Sequence, residues 1–190
     1  ILNSRLLTII KKHGTKTQYG SQSGRGSTDG TFVLRSAVQT RQQHNLPTWV
    51  LFADLDKAFN MVSHGLMLAL IKRYGAPKDL VRIINMMYTN VSVKLQVGKE
   101  KQLIPYTVGV QQGDNMAPVL FLFVMQAFSD TLLKERFSNA GVNDGIDFKF
   151  FRTTNTQRGR LLNQNHKAKG TDFKLHDLLY VNNRAFFFTT

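Results

Sequence analysis

The chain has 190 residues, 42% of them apolar, no cysteine, and 25 Lys and Arg against 12 Asp and Glu, for a net charge of +13. That length suits one unit with an ordinary core, and the missing cysteines exclude a disulfide framework and a thiolate metal site, as suits an intracellular protein. The charge excess is the footprint of a polyanion binder, with nucleic acid the natural partner, while apolar runs at residues 119–125 and 185–188 fall far short of a membrane span, so no membrane partner is expected.

Apolar residues at Ile1, Leu2, Leu6, Ile9 and Ile10 predict a helix over residues 1–11, broken by Gly14 and by the Gly/Ser-rich residues 20–30. Residues 29–43 predict a second helix that ends near Pro47, and residues 49–53 a strand. A helix follows at about residues 63–74 with Leu66, Leu68, Leu70 and Ile71 inward. Pro77 opens another helix through residue 87, because its missing N–H costs nothing in a first turn. Residues 91–97 alternate apolar and polar and pair, across Gly98-Lys99-Glu100, with residues 103–108 as a hairpin.

Residues 116–137 are the longest helix candidate. Beyond them Lys149, Arg152, Arg158, Arg160, Lys167 and Lys169 fall in a stretch with no acid between Asp147 and Asp172. Poor in apolar residues, it reads as a basic surface loop at about 149–171, able to lie beside a duplex. Residues 178–188 then form an apolar strand, a two-residue turn of the amides Asn182 and Asn183, and a second apolar strand; Asn tolerates the positive φ of a tight turn. The order α, α, β, α, α, β, β, α, loop, β-hairpin is an α+β arrangement in which helices back an antiparallel sheet.

Four segments stand out. Trp49-Val50-Leu51-Phe52-Ala53-Asp54-Leu55-Asp56-Lys57-Ala58-Phe59-Asn60 is a β-type run that ends in a carboxylate and continues Lys-Ala-Phe. Gly109-Val110-Gln111-Gln112-Gly113-Asp114-Asn115-Met116-Ala117-Pro118 leads into the apolar run at 119–125, and Tyr180-Val181-Asn182-Asn183 sits in the terminal hairpin. Upstream, Gln18-Tyr19-Gly20 and Gly24-Arg25-Gly26-Ser27-Thr28-Asp29 precede Phe32-Val33-Leu34. In order and spacing these segments resemble motifs A, B and C and the fingers motif of reverse transcriptases, in the variety of non-LTR (LINE-type) retrotransposons and group II intron proteins. The resemblance spans nearly the whole chain.

It implies a right-hand polymerase palm with part of the fingers: fingers at about residues 1–47, mainly palm at 48–190, thumb and primer grip absent. The opening at Ile1 and the end at Thr190 just after the hairpin suggest a piece of a longer protein. The implied activity is RNA-directed DNA synthesis by two-Mg²⁺ phosphoryl transfer. The implied partners are an RNA template, a DNA primer or RNA–DNA hybrid, and deoxynucleotides, in the nucleus if the element is eukaryotic.

By the same resemblance Asp54 is the motif A carboxylate, the Leu55 carbonyl a further metal ligand, and Asn182 and Asn183 stand at the motif C aspartate positions. Phe59 takes the place of the aromatic gate against a ribose 2′-hydroxyl, Gln112 lies against the incoming nucleotide, Gly113 allows close backbone approach to the template, and Arg25 touches template or triphosphate. Each has a plainer reading: Asp54 as a helix cap, Phe59 as core packing, Gly113 as a turn residue.

The departures matter as much. The family has two aspartates where this chain has Asn182 and Asn183, usually an aspartate at Asn60, commonly a basic residue at Gln111, and a small residue at Arg184. An Asp-to-Asn, an Arg-to-Gln or a Gly-to-Arg exchange can each arise from one G-to-A transition, the pattern of a decaying retroelement copy. An amide keeps the shape of a carboxylate but not its charge, on which Mg²⁺ binding depends. Two-metal catalysis should be lost or severely weakened while the fold persists; the alternative is a polymerase-shaped scaffold that binds nucleic acid without chemistry.

Overall fold

The computed structural model describes residues 1–111, 113–138, 145–149 and 172–189. Helix α1 (Leu2–His13) carries Lys11, Lys12 and His13 in its last turn, where cations complement the helix dipole, and ends at Gly14. Helix α2 (Ser27–Gln43) starts where the Asp29 carboxylate accepts the Gly26 N–H at 2.8 Å. Strand β1 (Trp49–Ala53), a 3-10 turn (Ala58–Met61), α3 (His64–Arg73) and α4 (Lys78–Tyr88) follow. Ser63 caps α3 by accepting the Leu66 N–H, and Pro77 caps α4 from just outside its first turn.

After the hairpin of β2 (Ser92–Val97) and β3 (Glu100–Pro105), Asp114 caps the approach to α5 (Ala117–Ser138), accepting the Met116 N–H at 3.0 Å. Strands β4 (Ile146–Lys149), β5 (Asp172–Leu175), β6 (Asp177–Tyr180) and β7 (Asn183–Phe188) complete the order. The fold is α+β. In place of one sheet, the described residues form three small antiparallel ones: β1-β7-β6, β2-β3 and β4-β5.

Helix α5 organises the main core. From Ala117 to Met125 almost every side chain is buried, so this first part of the helix is apolar all round, as a helix enclosed by others must be. Leu6 and Ile10 of α1, Met67 and Ile71 of α3 and Leu80 and Ile84 of α4 join it in one cluster. A polar chain runs along its edge: the Thr15 N–H and hydroxyl both donate to Gln126 Oε1, Gln126 donates to Asp130, and Tyr74 donates to Asp130 at 2.6 Å. Burial, reinforced by that carboxylate, pushes the Tyr74 phenol well above its ordinary value. A second cluster of Ala37, Ile146, Leu175, Leu178 and Phe187 lies under α2 and the three-stranded sheet.

Several expectations shift. The terminal turn is Val181-Asn182, not Asn182-Asn183: Tyr180 pairs with Asn183, which already begins β7. Val181 rather than an asparagine takes the positive φ, 57°. The β2–β3 turn is Gly98-Lys99 alone, with Glu100 paired to Val97 and Gly98 at φ 61°. Strand β3 ends at Pro105, so Val108 leaves it and bridges Ser63 instead. On α3 Leu70 and Ile71 are buried as expected and Leu68 is partly buried, but Leu66 is 53% exposed and Met67 takes the inward place. Strands β4 and β5 were not foreseen; they pair at the two ends of the basic stretch, whose residues 150–171 lie outside the described residues.

Candidate active site

Backbone register brings the motif A and motif C segments together. β1 and β7 pair from Trp49 with Phe188 to Ala53 with Arg184. Asp54, one residue past β1, therefore reaches the level of Asn183, one residue before Arg184. The β6–β7 turn then carries Asn182 across: its side-chain Nδ2 donates to Asp54 Oδ1 at 2.6 Å and to the Leu55 carbonyl at 3.3 Å. Asp54, Leu55 and Asn182 are thus held in one hydrogen-bonded group. Asn183 is exposed beside it and, with Asp54, Tyr19, Leu34, Phe52 and Arg184, lines a cavity of about 340 Å³ between α2 and the sheet. Among the described residues no group of three or more His, Asp or Glu side chains is placed to hold a metal ion.

Motifs A and B are laced by backbone. The Phe59 carbonyl accepts the Val110 N–H at 2.8 Å, the Val62 carbonyl accepts the Gly109 N–H at 2.8 Å, and His64 Nε2 donates to the Gly109 carbonyl at 2.7 Å. Gly109 is required twice over, by φ 94° and because a Cβ there would lie 2.9 Å from the Asn60 carbonyl oxygen. Phe59 stacks on Phe121 with ring centroids 4.5 Å apart, so a core residue backs its half-exposed ring. The Tyr88 phenol near this junction is pushed up to about 12, first by burial and then by the Asp114 charge and Tyr106.

The other candidates are dispersed. Gly113 has φ 92° and open space where a Cβ would be, so the turn demands glycine conformationally rather than sterically. Gln112 lies outside the described residues. Arg25 donates to the Lys16 and Gln18 carbonyls and sits 5.5 Å over the Tyr19 ring. It lines a separate cavity of about 320 Å³ with Lys11 and Lys16, not the one that Asp54 lines.

One feature of the hairpin escaped the sequence. Arg184 is 4% exposed and donates from Nε to Asp177 Oδ2 at 2.8 Å and from Nη2 to the same oxygen, while Thr17 donates to Asp177 Oδ1. Its guanidinium lies 4.9 Å over the Phe186 ring. The expected turn at Asn182-Asn183 hid it: only the observed register, which pairs Leu179 with Arg184, makes Asp177 a same-face diagonal neighbour.

The chain belongs to the reverse transcriptase (RNA-dependent DNA polymerase) family, whose profile matches residues 1–146. That match ends before the β6–β7 hairpin and does not reach residues 180–183.

Among curated proteins the chain is similar to the retrovirus-related Pol polyprotein from type-2 retrotransposable element R2DM of Drosophila melanogaster, 28% identical over 112 residues, 58% of this chain and 10% of that protein. It is likewise similar to the Pol polyprotein from type-1 retrotransposable element R2 of Nasonia vitripennis, 30% over 103 residues, 54% of the chain and 10% of that protein. The R2 counterpart of Popillia japonica is 28% identical over 152 residues, 77% of the chain and 20% of that protein. The chain thus spans only a tenth to a fifth of the length of these relatives. Among the described residues no helix is long and apolar enough to cross a membrane.

Proposed function

We propose that this chain is the fingers and palm portion of an R2-type retrotransposon reverse transcriptase, one that still holds template and primer but has lost the two-metal chemistry of its lineage. The observation that carries this reading is the Asn182 amide, which donates to both the Asp54 carboxylate and the Leu55 carbonyl. The family works with Mg²⁺, which wants hard anionic oxygens converging from separate elements. Here the donor set does not fit such an ion: Asp54 is one carboxylate, and the motif C turn faces it with a neutral carboxamide, so the second anionic oxygen that Mg²⁺ requires is missing. Asn183, the second degenerate position, adds no charge.

Within this reading the binding functions survive the loss of chemistry. The net charge of +13 draws RNA template and DNA primer through their phosphates, without sequence preference. Phe59, stiffened by Phe121, faces the sugar of an incoming deoxynucleotide. By the family resemblance Gln112 serves the nucleotide and Gly113 the template, and Arg25 meets a phosphate from the fingers loop. The eukaryotic source of the relatives points to the nucleus. A scaffold that never polymerises would carry the same amide and share these binding functions.

Two measurements on the 190-residue chain test the proposal. Anisotropy with a labelled RNA–DNA hybrid should give binding that weakens steeply as salt rises, and primer extension with Mg²⁺ or Mn²⁺ should give no product. Extended primer would overturn the loss of chemistry. Affinity that is absent, or flat across a severalfold rise in salt, would overturn the nucleic-acid role.

A further inference from the structure

The loop between α1 and α2 does more than connect. Residues 17–19 run beside β6 as a short parallel pairing: the Leu179 N–H donates to the Thr17 carbonyl at 2.9 Å, and the Tyr19 N–H to the Leu179 carbonyl at 2.8 Å. Gln18, at the centre of that pairing, is 4% exposed, and its carboxamide is given over entirely to the neighbouring turns. Its Oε1 accepts the Val181 N–H at 3.0 Å and the Gly20 N–H at 2.8 Å; its Nε2 donates to the Val181 carbonyl at 3.3 Å.

Val181 needs such a partner. It is β-branched and sits at φ 57°, a left-handed conformation that such residues adopt only when their surroundings over-determine it. The loop closes on it tightly: a Cβ on Gly20 would lie 2.5 Å from both Val181 Cγ2 and the Val181 backbone nitrogen. A buried carboxamide that grips both backbone polar groups of one strained residue supplies the over-determination.

We propose that Gln18 is a positioning residue for the motif C turn: its carboxamide holds Val181 in the left-handed conformation and thereby aims the next side chain, Asn182, at Asp54. The hydrogen bonds of the Gln18 carboxamide go to Val181 and Gly20, not to the Asp54 or Asn182 side chains. The inference concerns the geometry of the hairpin and stands whether or not the chain catalyses.

The test is NMR on the ¹⁵N-labelled 190-residue chain, following two signals. One is amide exchange at Val181 and Gly20, with Leu120 in the core of α5 as the reference for global stability. The other is the side-chain NH₂ resonance of Asn182, shifted by its bond to the Asp54 carboxylate. Gln18→Leu removes both halves of the clamp. It should speed exchange at Val181 and Gly20 by about tenfold or more while Leu120 is unchanged, and should return the Asn182 NH₂ towards its free-amide position.

Adding Val181→Gly, which adopts positive φ without strain, should restore the Asn182 signal in the Gln18→Leu background. Gly20→Ala, which wedges the loop off the turn, should reproduce the loss with Gln18 intact and serves if Gln18→Leu does not fold. An Asn182 NH₂ resonance unmoved by either variant, or a loss that Val181→Gly leaves uncorrected, would overturn the proposal and reduce Gln18 to packing.

Discussion

Asn182→Asp restores one family carboxylate, and the structure sets what that costs. The native amide donates to Asp54 at 2.6 Å on an exposed part of the site. A hydrogen bond to a charged group contributes about 1.5–3 kcal/mol, and solvent screening cuts that to about 1 kcal/mol here. The substitution also sets two carboxylates face to face. At a separation of about 4 Å their repulsion is about 1 kcal/mol in bulk water and about 4 kcal/mol at an effective dielectric near 20.

Together the variant should lose about 2–5 kcal/mol in the absence of divalent metal, or about 4–20 °C in Tm for a domain of this size. Mg²⁺ or Mn²⁺ should recover part of it, because an ion that binds only the folded state adds stability in proportion to the logarithm of its concentration over Kd. Thermal melts of native, Asn182→Asp and Asn182→Ala chains in chelator and in millimolar Mg²⁺ decide the matter. Asn182→Ala should lose about 1 kcal/mol and ignore the metal. A native chain whose Tm climbs with Mg²⁺, or an Asn182→Asp variant as stable as native in chelator, would refute the reasoning.

Asp177→Ala strands the buried Arg184 guanidinium and should cost about 3–5 kcal/mol by denaturant titration, whereas Asp177→Leu combined with Arg184→Met should be close to neutral. Gly113→Ala should cost about 1–2 kcal/mol for its positive φ alone, and Gly109→Ala distinctly more because its Cβ also meets the Asn60 carbonyl; chemical denaturation of both variants ranks them. The Tyr88 phenol, raised from 10.0 to about 12 in the folded chain, favours folding fully below pH 10 and loses that contribution as pH rises through about 12. Tyr88→Phe should therefore flatten the alkaline limb of a stability-against-pH curve, and an unchanged limb would assign it to other groups.

Much of the fold was legible because periodicity and punctuation agree. Helices α1, α2, α4 and α5 lie within two residues of their predicted ends, each bounded by Gly, Pro or a capping carboxylate. β1 and the terminal hairpin were legible from apolar runs. Turn positions were not. Val181 occupies the left-handed site that composition assigns to asparagine, because its conformation is imposed by Gln18 from 163 residues away in the chain. Propensity cannot see such a contact. The pairing of β4 with β5 was hidden for a related reason: four-residue strands separated by a long basic stretch carry too little pattern to be recognised. At the site the proximity of Asp54 and Asn182 was expected, but the donor nature of that contact follows only from seeing which face of the amide is presented.

The five-rung ladder between β1 and β7 has an evolutionary side. It holds Asp54 against the β6–β7 turn through main-chain groups, from Trp49 opposite Phe188 to Ala53 opposite Arg184. A side-chain substitution at position 182 or 183 leaves every rung in place, whereas the gain or loss of one residue inside either strand slips the register, advances the chain by about 3.3 Å and turns the following side chains to the opposite face. A lineage released from selection on its chemistry can therefore exchange its carboxylates one by one and remain folded, while it discards length changes in these strands. Under the proposed loss of chemistry, the outline of a polymerase would outlive its catalysis, because the outline is written in backbone pairing and the chemistry in replaceable side chains.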